Sequence, residues 1–281
     1  MSKVRLNRFL AQAGIASRRS ADRLIADGSI SINGKKVYEL GIKVDPNVDK
    51  ISLDGRLVHN VTKKIYLAFN KPKDVLSTMS NETDSRAHIG DYCAHLPTRV
   101  FSVGRLDWDS EGLIILTNDG DLANKIMHPS KEITKTYLVK VNGKPEEKHI
   151  QKLRTGVSII GGKVSAKHIE RIQLKDGSEK YDWFKIIITE GKNRQIRLMF
   201  EKIGFDVMKL QRVAIGRLRL GTLDRGDMKD LTDLDLKKIF QADDPEELKV
   251  KKSAYRRKPL VAARQKKAKK QLKKINFDTL K

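Results

Sequence analysis

The stretch Val103–Gly120, VGRLDWDSEGLIILTNDG, sets an acid, Asp107, directly after Gly-Arg-Leu. It then runs through two more carboxylates and a glycine into four apolar residues, Leu113 to Leu116. An apolar run of that length between glycine-containing turns reads as a buried strand. Asp107 would then sit on a loop delivered to the rim of a sheet, where a rigid scaffold can present a side chain to a ligand. Asn118-Asp119-Gly120 closes the stretch as a turn, and 121–127 reads as a helix ending at His128-Pro129.

Three chemistries fit the acids. Asp107, Asp109, Glu111 and Gly112 match the opening of a calcium loop. The twelfth position is Asn118, which cannot supply the bidentate carboxylate, and no helix pair flanks the loop. Asp107 with Asp109 or Glu111 could form the carboxylate pair of a glycosidase, but neighbours on one loop do not define the required separation. The third reading is a single nucleophilic aspartate kept ionised by an arginine.

The totals narrow the partner. The 281-residue chain carries a formal net charge of +23, with 33% charged and 39% hydrophobic residues. That balance suits a polyanion. Thirteen Lys/Arg and no Asp/Glu fall between Lys249 and Lys274, which leaves a surplus of ten for the rest. This stretch reads as a basic, disordered tail in contact with RNA. No apolar run approaches a membrane span. The polar Asn7, Arg8 and Gln12 break any signal-peptide core at the start of the chain. One cysteine, Cys93, excludes an internal disulfide framework and fits a reducing cytoplasm, and the six histidines lack metal-ligand spacing.

Upstream, Leu6, Phe9, Leu10 and Ala13 recur at helical spacing, and Gly14 stops the helix. Ser17 caps a second helix whose first turn holds Arg18 and Arg19. Cations there oppose the helix dipole, a local cost that suggests an anion to be met. Asn33-Gly34 and Asp54-Gly55 then mark two hairpins. RLNRFLAQAGIASRRSADRLIADGSISINGKKV resembles the small RNA-binding domain of the ribosomal-protein S-four type, the alpha-L motif. That resemblance implies RNA contacts from Arg5, Arg8, Arg18, Arg19 and Arg23.

Downstream, IYLAFNKP, TKTYLVKV, HIERIQL and WFKIIIT read as strands, with loop over Ser77 to Asp91. Helices are expected over Glu146 to Arg154, over Asn193 to Ile203, and from a Thr232/Asp235 capping box to Phe240. Strands dominate and no βαβ period appears, so the expected fold is α+β on a mostly antiparallel mixed sheet. The boundaries are 1–62 for the N-terminal domain, 63–245 for the second and 246–281 for the tail.

GRLDWDSEGLIILTNDGDLANKIMHP, TKTYLVKV and EGKNRQIRLMFEKIGFDVMKL resemble, in order, three motifs of the RsuA-type ribosomal RNA pseudouridine synthases, with features of both the RluB and RluF large-subunit branches. The resemblance implies that Asp107 is the catalytic nucleophile or base, that Tyr137 stacks on the target base, and that Arg197 pairs with Asp107. Arg105, Asn193 and Arg194 are the added RNA contacts, while Asp109, Glu111, Asp119 and Asp121 keep loop and helix-start roles. The implied reaction breaks the bond from C1′ to N1 of uridine and remakes it to C5. Nothing is oxidised and nothing leaves, so no cofactor and no metal is expected. The implied partner is large-subunit ribosomal RNA, met by a monomer that flips out its target nucleotide. A noncatalytic RNA-binding or ribosome-assembly factor on the same scaffold is the alternative. Departures from the family pattern are Trp108 after the aspartate, Ser110 where threonine is common, and Leu198 where a second arginine is common.

Overall fold

A computed structural model describes residues 3–59, 63–80, 85–173 and 180–242. The basic stretch Lys249–Lys274 lies outside the described residues.

The N-terminal part runs β1 (Val4–Arg5), α1 (Leu6–Gln12), α2 (Arg18–Ala26), β2 (Ile30–Ile32), β3 (Lys35–Lys36), β4 (Lys43–Val44), β5 (Ile51–Leu53) and β6 (Arg56–Leu57). Ser17 Oγ accepts from Ser20 N at 3.0 Å, so the predicted cap starts α2. Both hairpin turns put two successive residues at positive φ, Asn33 and Gly34 in one, Asp54 and Gly55 in the other. That is the backbone a two-residue hairpin with right-handed twist demands. The hairpins are not separate: β2 pairs β5, which yields one sheet in the order β3-β2-β5-β6. Leu6, Phe9 and Leu10 of α1 pack with Ala21 and Ile25 of α2 and with Ile30 and Ile51 of the sheet. This part therefore has an apolar core of its own.

The second part runs β7 (Tyr66–Lys71), α3 (Ile89–Cys93), β8 (Phe101–Val103), β9 (Glu111–Thr117), α4 (Gly120–Met127), β10 (Lys135–Asn142), α5 (Glu147–Thr155), β11 (Val157–Ile159), β12 (Gly162–Val164), β13 (His168–Ile172), β14 (Tyr181–Ile188), α6 (Gln195–Glu201), β15 (Val207–Ile215), β16 (Leu218–Arg219), β17 (Met228–Asp230) and α7 (Asp233–Ile239). The large sheet has the order β13-β14-β10-β15-β9-β7-β17, with β8 paired to β9 and β16 to β15. Its ladders are antiparallel except β9–β15, which is parallel. The α+β class with a mostly antiparallel sheet is thus what the chain adopts.

Every residue of β9 is buried, as a strand covered on both faces requires. Ile114 and Leu116 join one apolar cluster with Tyr137, Val139, Phe184 and α6 residues Ile196, Met199 and Phe200. Leu113 and Ile115 face the other cluster, with Ala123 and Ile126 of α4 and Ile239 of α7. The sheet is a middle layer between two helical layers.

Sequence pattern missed β15. Lys209, Gln211 and Arg212 interrupt its apolar residues, so no clean alternation shows, yet it is the longest strand of the sheet. The stretch read as loop to Asp91 already enters α3 at Ile89. The two-residue β1 and β4 pair only with each other and lie below any periodic signal.

The β9–β15 ladder has only two rungs, Glu111↔Gln211 and Gly112↔Arg212, because β8 takes the later part of the same edge of β9. At this joint Gly112 has φ +112°, and a Cβ there would lie 2.2 Å from Arg212 O. Backbone cannot yield that far cheaply. Gly112→Ala is expected to lower unfolding stability by about 2 kcal/mol or more, measured by chemical denaturation; an unchanged midpoint would show that the two halves do not depend on this close approach.

Candidate active site

The site starts from how the Asp107 loop is held. Leu106 is buried in the apolar cluster that also contains Tyr137. Its backbone is fixed on both sides by the buried Ser77 hydroxyl, which donates to Leu106 O at 2.7 Å and accepts from Leu106 N at 3.1 Å. Ser110 N donates to Asp107 O at 3.1 Å, and Asp74 N to Trp108 O at 2.8 Å. Asp107, half-buried, therefore projects from a loop whose backbone is pinned before, at and after it.

Across the sheet, Lys71, Gly112, Arg212 and Tyr137 form one row of directly opposed residues on β7, β9, β15 and β10. Directly opposed residues face the same side of a sheet. A register shift in β10–β15 between Thr136 and Tyr137 brings Tyr137 opposite Arg212. Tyr137 is only 7% exposed. Its hydroxyl lies 3.5 Å from an Arg212 Nη, and Arg212 Nε donates to Leu113 O at 2.7 Å. The other Arg212 terminal nitrogen is buried with no hydrogen-bond partner. Lys71 is fully buried, and its ammonium donates to Pro72 O at 2.9 Å. Burial pushes Lys71 down to about 8, with the Asp107 carboxylate the leading charge that opposes the shift. Burial likewise pushes Lys135 down to about 8, aided by the Arg212 charge. Neither lysine was singled out from sequence, because a lysine in a strand pattern signals solvent, not a covered ammonium.

Arg197 stands in the first turns of α6, where the structure revises one expectation. Its guanidinium pairs with Asp109 at 3.1 Å, not directly with Asp107. It also donates to Val207 O at 2.9 Å, to Asp109 O at 3.3 Å and to Ser110 Oγ at 3.4 Å. The side chain thus ties the acidic loop to α6 and β15. Burial lowers the Arg197 pKa, while the charges of Asp109 and then Asp107 oppose that shift. Arg197 thus carries its ion pair to Asp109, and the Asp107 charge acts on it through space.

Two acids expected to be loop construction have specific partners. Asp109 accepts from Arg197 and lies 3.7 Å from Arg194. Glu111, at the start of β9, is buried and held by Lys209 at 2.9 Å and Arg225 at 3.1 Å. The partners of Asp109 come from α6 and the residue before it, and those of Glu111 from β15 and from the loop between β16 and β17, which no local pattern reveals. Asp119 keeps its expected role and caps α4 through Asp121 N and Leu122 N.

Among the expected RNA contacts, Arg5, Arg8 and Arg18 converge with Lys3 and Lys43 on one cleft of about 440 Å³. Arg19 and Arg23 are exposed on α2 but do not line that cleft. Arg8 is also engaged: one of its nitrogens meets both Asp121 oxygens, at 2.6 and 2.8 Å, which links α1 to the first turn of α4. Arg105 and Asn193 are exposed, and Arg194, also exposed, has left-handed φ (49°) as the residue before α6. No group of metal-ligating side chains occurs among the described residues, and no helix there is long and apolar enough to cross a membrane.

The Asp109–Arg197 pair is nearly closed to solvent on the arginine side, so its partners should be coupled. A cycle of Asp109→Asn, Arg197→Gln and the double variant is expected to give a coupling of about 1–3 kcal/mol in denaturant unfolding. Additive single effects would mean that the loop is held by its backbone contacts alone.

Comparison with known proteins agrees with this architecture. Residues 65–202 match the family model for RNA pseudouridylate synthase, and residues 4–49 match that of the S4 domain. The ribosomal large subunit pseudouridine synthase B of Bacillus subtilis is 40% identical over 84% of this chain and 95% of its own. The dual-specificity RNA pseudouridine synthase RluF of Escherichia coli K12 is 38% identical over 85% of this chain and 79% of its own. A crystal structure of a pseudouridylate synthase superposes with a TM-score of 0.58 at 27% identity, covering 84% of this chain and 99% of that one. The chain belongs to the RNA pseudouridine synthase family, and carries an S4 RNA-binding domain ahead of the synthase domain.

Proposed function

We propose that this chain, acting as a monomer in the cytoplasm, isomerises a specific uridine of large-subunit ribosomal RNA, with Asp107, Tyr137 and Arg197 as its catalytic group. Asp107 serves as the carboxylate that meets the sugar or the base. Its loop is pinned by Ser77, Asp74 and the Arg197 clamp, so a reactive carboxylate is presented without conformational search. Arg197, tied to Asp109 and Ser110, holds the loop that carries the carboxylate a nucleophile or base requires. Tyr137 offers a ring bordered by Arg212 to the detached uracil while it turns from N1 to C5. C1′–N1 breaks, C1′–C5 forms, and the hydrogen leaves C5 while N1 gains one, so the atoms balance without a co-reactant.

The observation that carries this reading is the Arg197 clamp on the Asp107–Ser110 loop, because a binding module has no need of an immobilised acid beside a buried cation. The likeness to the ribosomal large subunit pseudouridine synthase B of Bacillus subtilis supports the ribosomal target. The basic cleft of the N-terminal domain supplies phosphate contacts that offset the few kcal/mol needed to flip a nucleotide. Residues 1–62, 63–245 and 246–281 divide the work into RNA capture, chemistry and a basic tail.

Wild type and Asp107→Asn are to be expressed in cells lacking the protein, and pseudouridine mapped in both ribosomal RNAs. One large-subunit position is expected to be modified by wild type only; if every position is independent of Asp107, the assignment fails. Removal of residues 249–281 is expected to weaken binding to ribosomal RNA and to flatten the dependence of log affinity on log salt, by about 0.7–0.9 per lost phosphate contact. An unaltered slope would make the tail a bystander.

A further inference from the structure

Trp108 directly follows Asp107, yet 41% of its surface is exposed, whereas the chain's other tryptophan, Trp183, is 5% exposed and packed in the sheet. Leaving that much of a large aromatic ring in water forgoes burial energy. The ring is not left there by a slack loop. Its carbonyl accepts from Asp74 N at 2.8 Å, Leu106 is locked by Ser77, and Asp109 is tied to Arg197. The Arg86 guanidinium carbon stands 5.7 Å from the ring centroid, a cation over an aromatic face. Arg86, Arg105 and Arg194 are all exposed.

A half-exposed aromatic ring on a pinned loop, with a guanidinium over its face, is the arrangement that stacks nucleobases and meets the adjoining phosphates. Position decides which base. The reacting uridine must leave its helix to reach Asp107, and its neighbours then lose a stacking partner at the mouth of the site. We propose that Trp108 is a stacking platform for a base that adjoins the flipped uridine, which makes it a specificity-determining residue of this site. Arg86 either backs the ring from its other face or gives way to the incoming base; in both cases the cation keeps the ring oriented while the site is empty. This inference rests on the proposed role of Asp107 and on the RNA target.

The test uses the full chain, the large-subunit ribosomal RNA transcript and the uridine mapped above. Trp108→Ala is expected to lower kcat/KM at that uridine by about 10- to 100-fold, while Trp108→Phe, which keeps an aromatic face, retains most of it. Short RNAs that carry the uridine with an abasic nucleotide on its 5′ or its 3′ side separate stacking from loop support. With the correct neighbour abasic, wild type slows and Trp108→Ala adds no further loss. An equal loss from Trp108→Ala on all these RNAs would assign the ring to loop structure and overturn the proposal, as would full activity of Trp108→Ala on the transcript. A binding arm is independent of turnover. Addition of the transcript to Asp107→Asn should quench tryptophan emission, and the quench should vanish in Asp107→Asn/Trp108→Phe. If the quench is seen but no pseudouridine depends on Asp107, the catalytic reading fails and takes with it the place of the stacked base beside a flipped uridine, leaving Trp108 an RNA contact only. If Asp107-dependent modification is found without the quench, the stacking fails and the catalytic reading stands.

Discussion

The two-rung joint between β9 and β15 governs the rest of the synthase domain. Among the described residues, one half of the sheet, β13-β14-β10-β15, pairs with the other, β9-β7-β17, only through Glu111 and Gly112. Gly112, which has no side chain, lets the two backbones meet at this joint, and Glu111 adds a buried carboxylate held by Lys209 of β15 and by Arg225. Removal of one partner from a buried ionic group leaves an uncompensated charge, which costs far more than the pair contributes. The joint is therefore selective for one register. It begins four residues after Asp107, so the register that closes the sheet also sets the position of the acid.

Electrostatics in the site then follow from what closure covers. Lys71 and Arg212 are charged groups on a sheet row that the helical layer and the loop seal from water. The desolvation of Lys71 is offset in part by the carboxylates of the loop, with Asp107 the leading one. The loop acids thus divide: Asp109 and Glu111 are held by direct ion-pair partners, while Asp107 projects half-buried from the pinned loop. A cluster of acids that resembles a metal loop in one dimension becomes, in three, two acids held by arginine and lysine partners beside a third, Asp107.

Much of this was legible from residues. The caps at Ser17 and Thr232, the turns at Asn33-Gly34 and Asp54-Gly55, and the buried run Leu113–Leu116 are local statements, set by backbone preferences and hydrogen bonds within a few positions. The candidate site residues were legible through ordered motifs, which record spacing along the chain. What stayed hidden was each feature that needs two distant segments: β15, whose basic residues look surface-bound until Glu111 and Leu113 O receive them; the transfer of Arg197 from Asp107 to Asp109; and the Arg8–Asp121 link between α1 and α4.

The stretch Val103–Gly120 by itself determined that an acid would sit on a loop before a buried strand, because apolar periodicity and glycine turns act locally. It could not determine which acid is free. That depends on which cations arrive from β15, α6 and the loop at Arg225, and their arrival is a matter of strand register. Register is fixed by the burial of both faces of β9 and by the close approach at Gly112, energies that exist only once the sheet has closed.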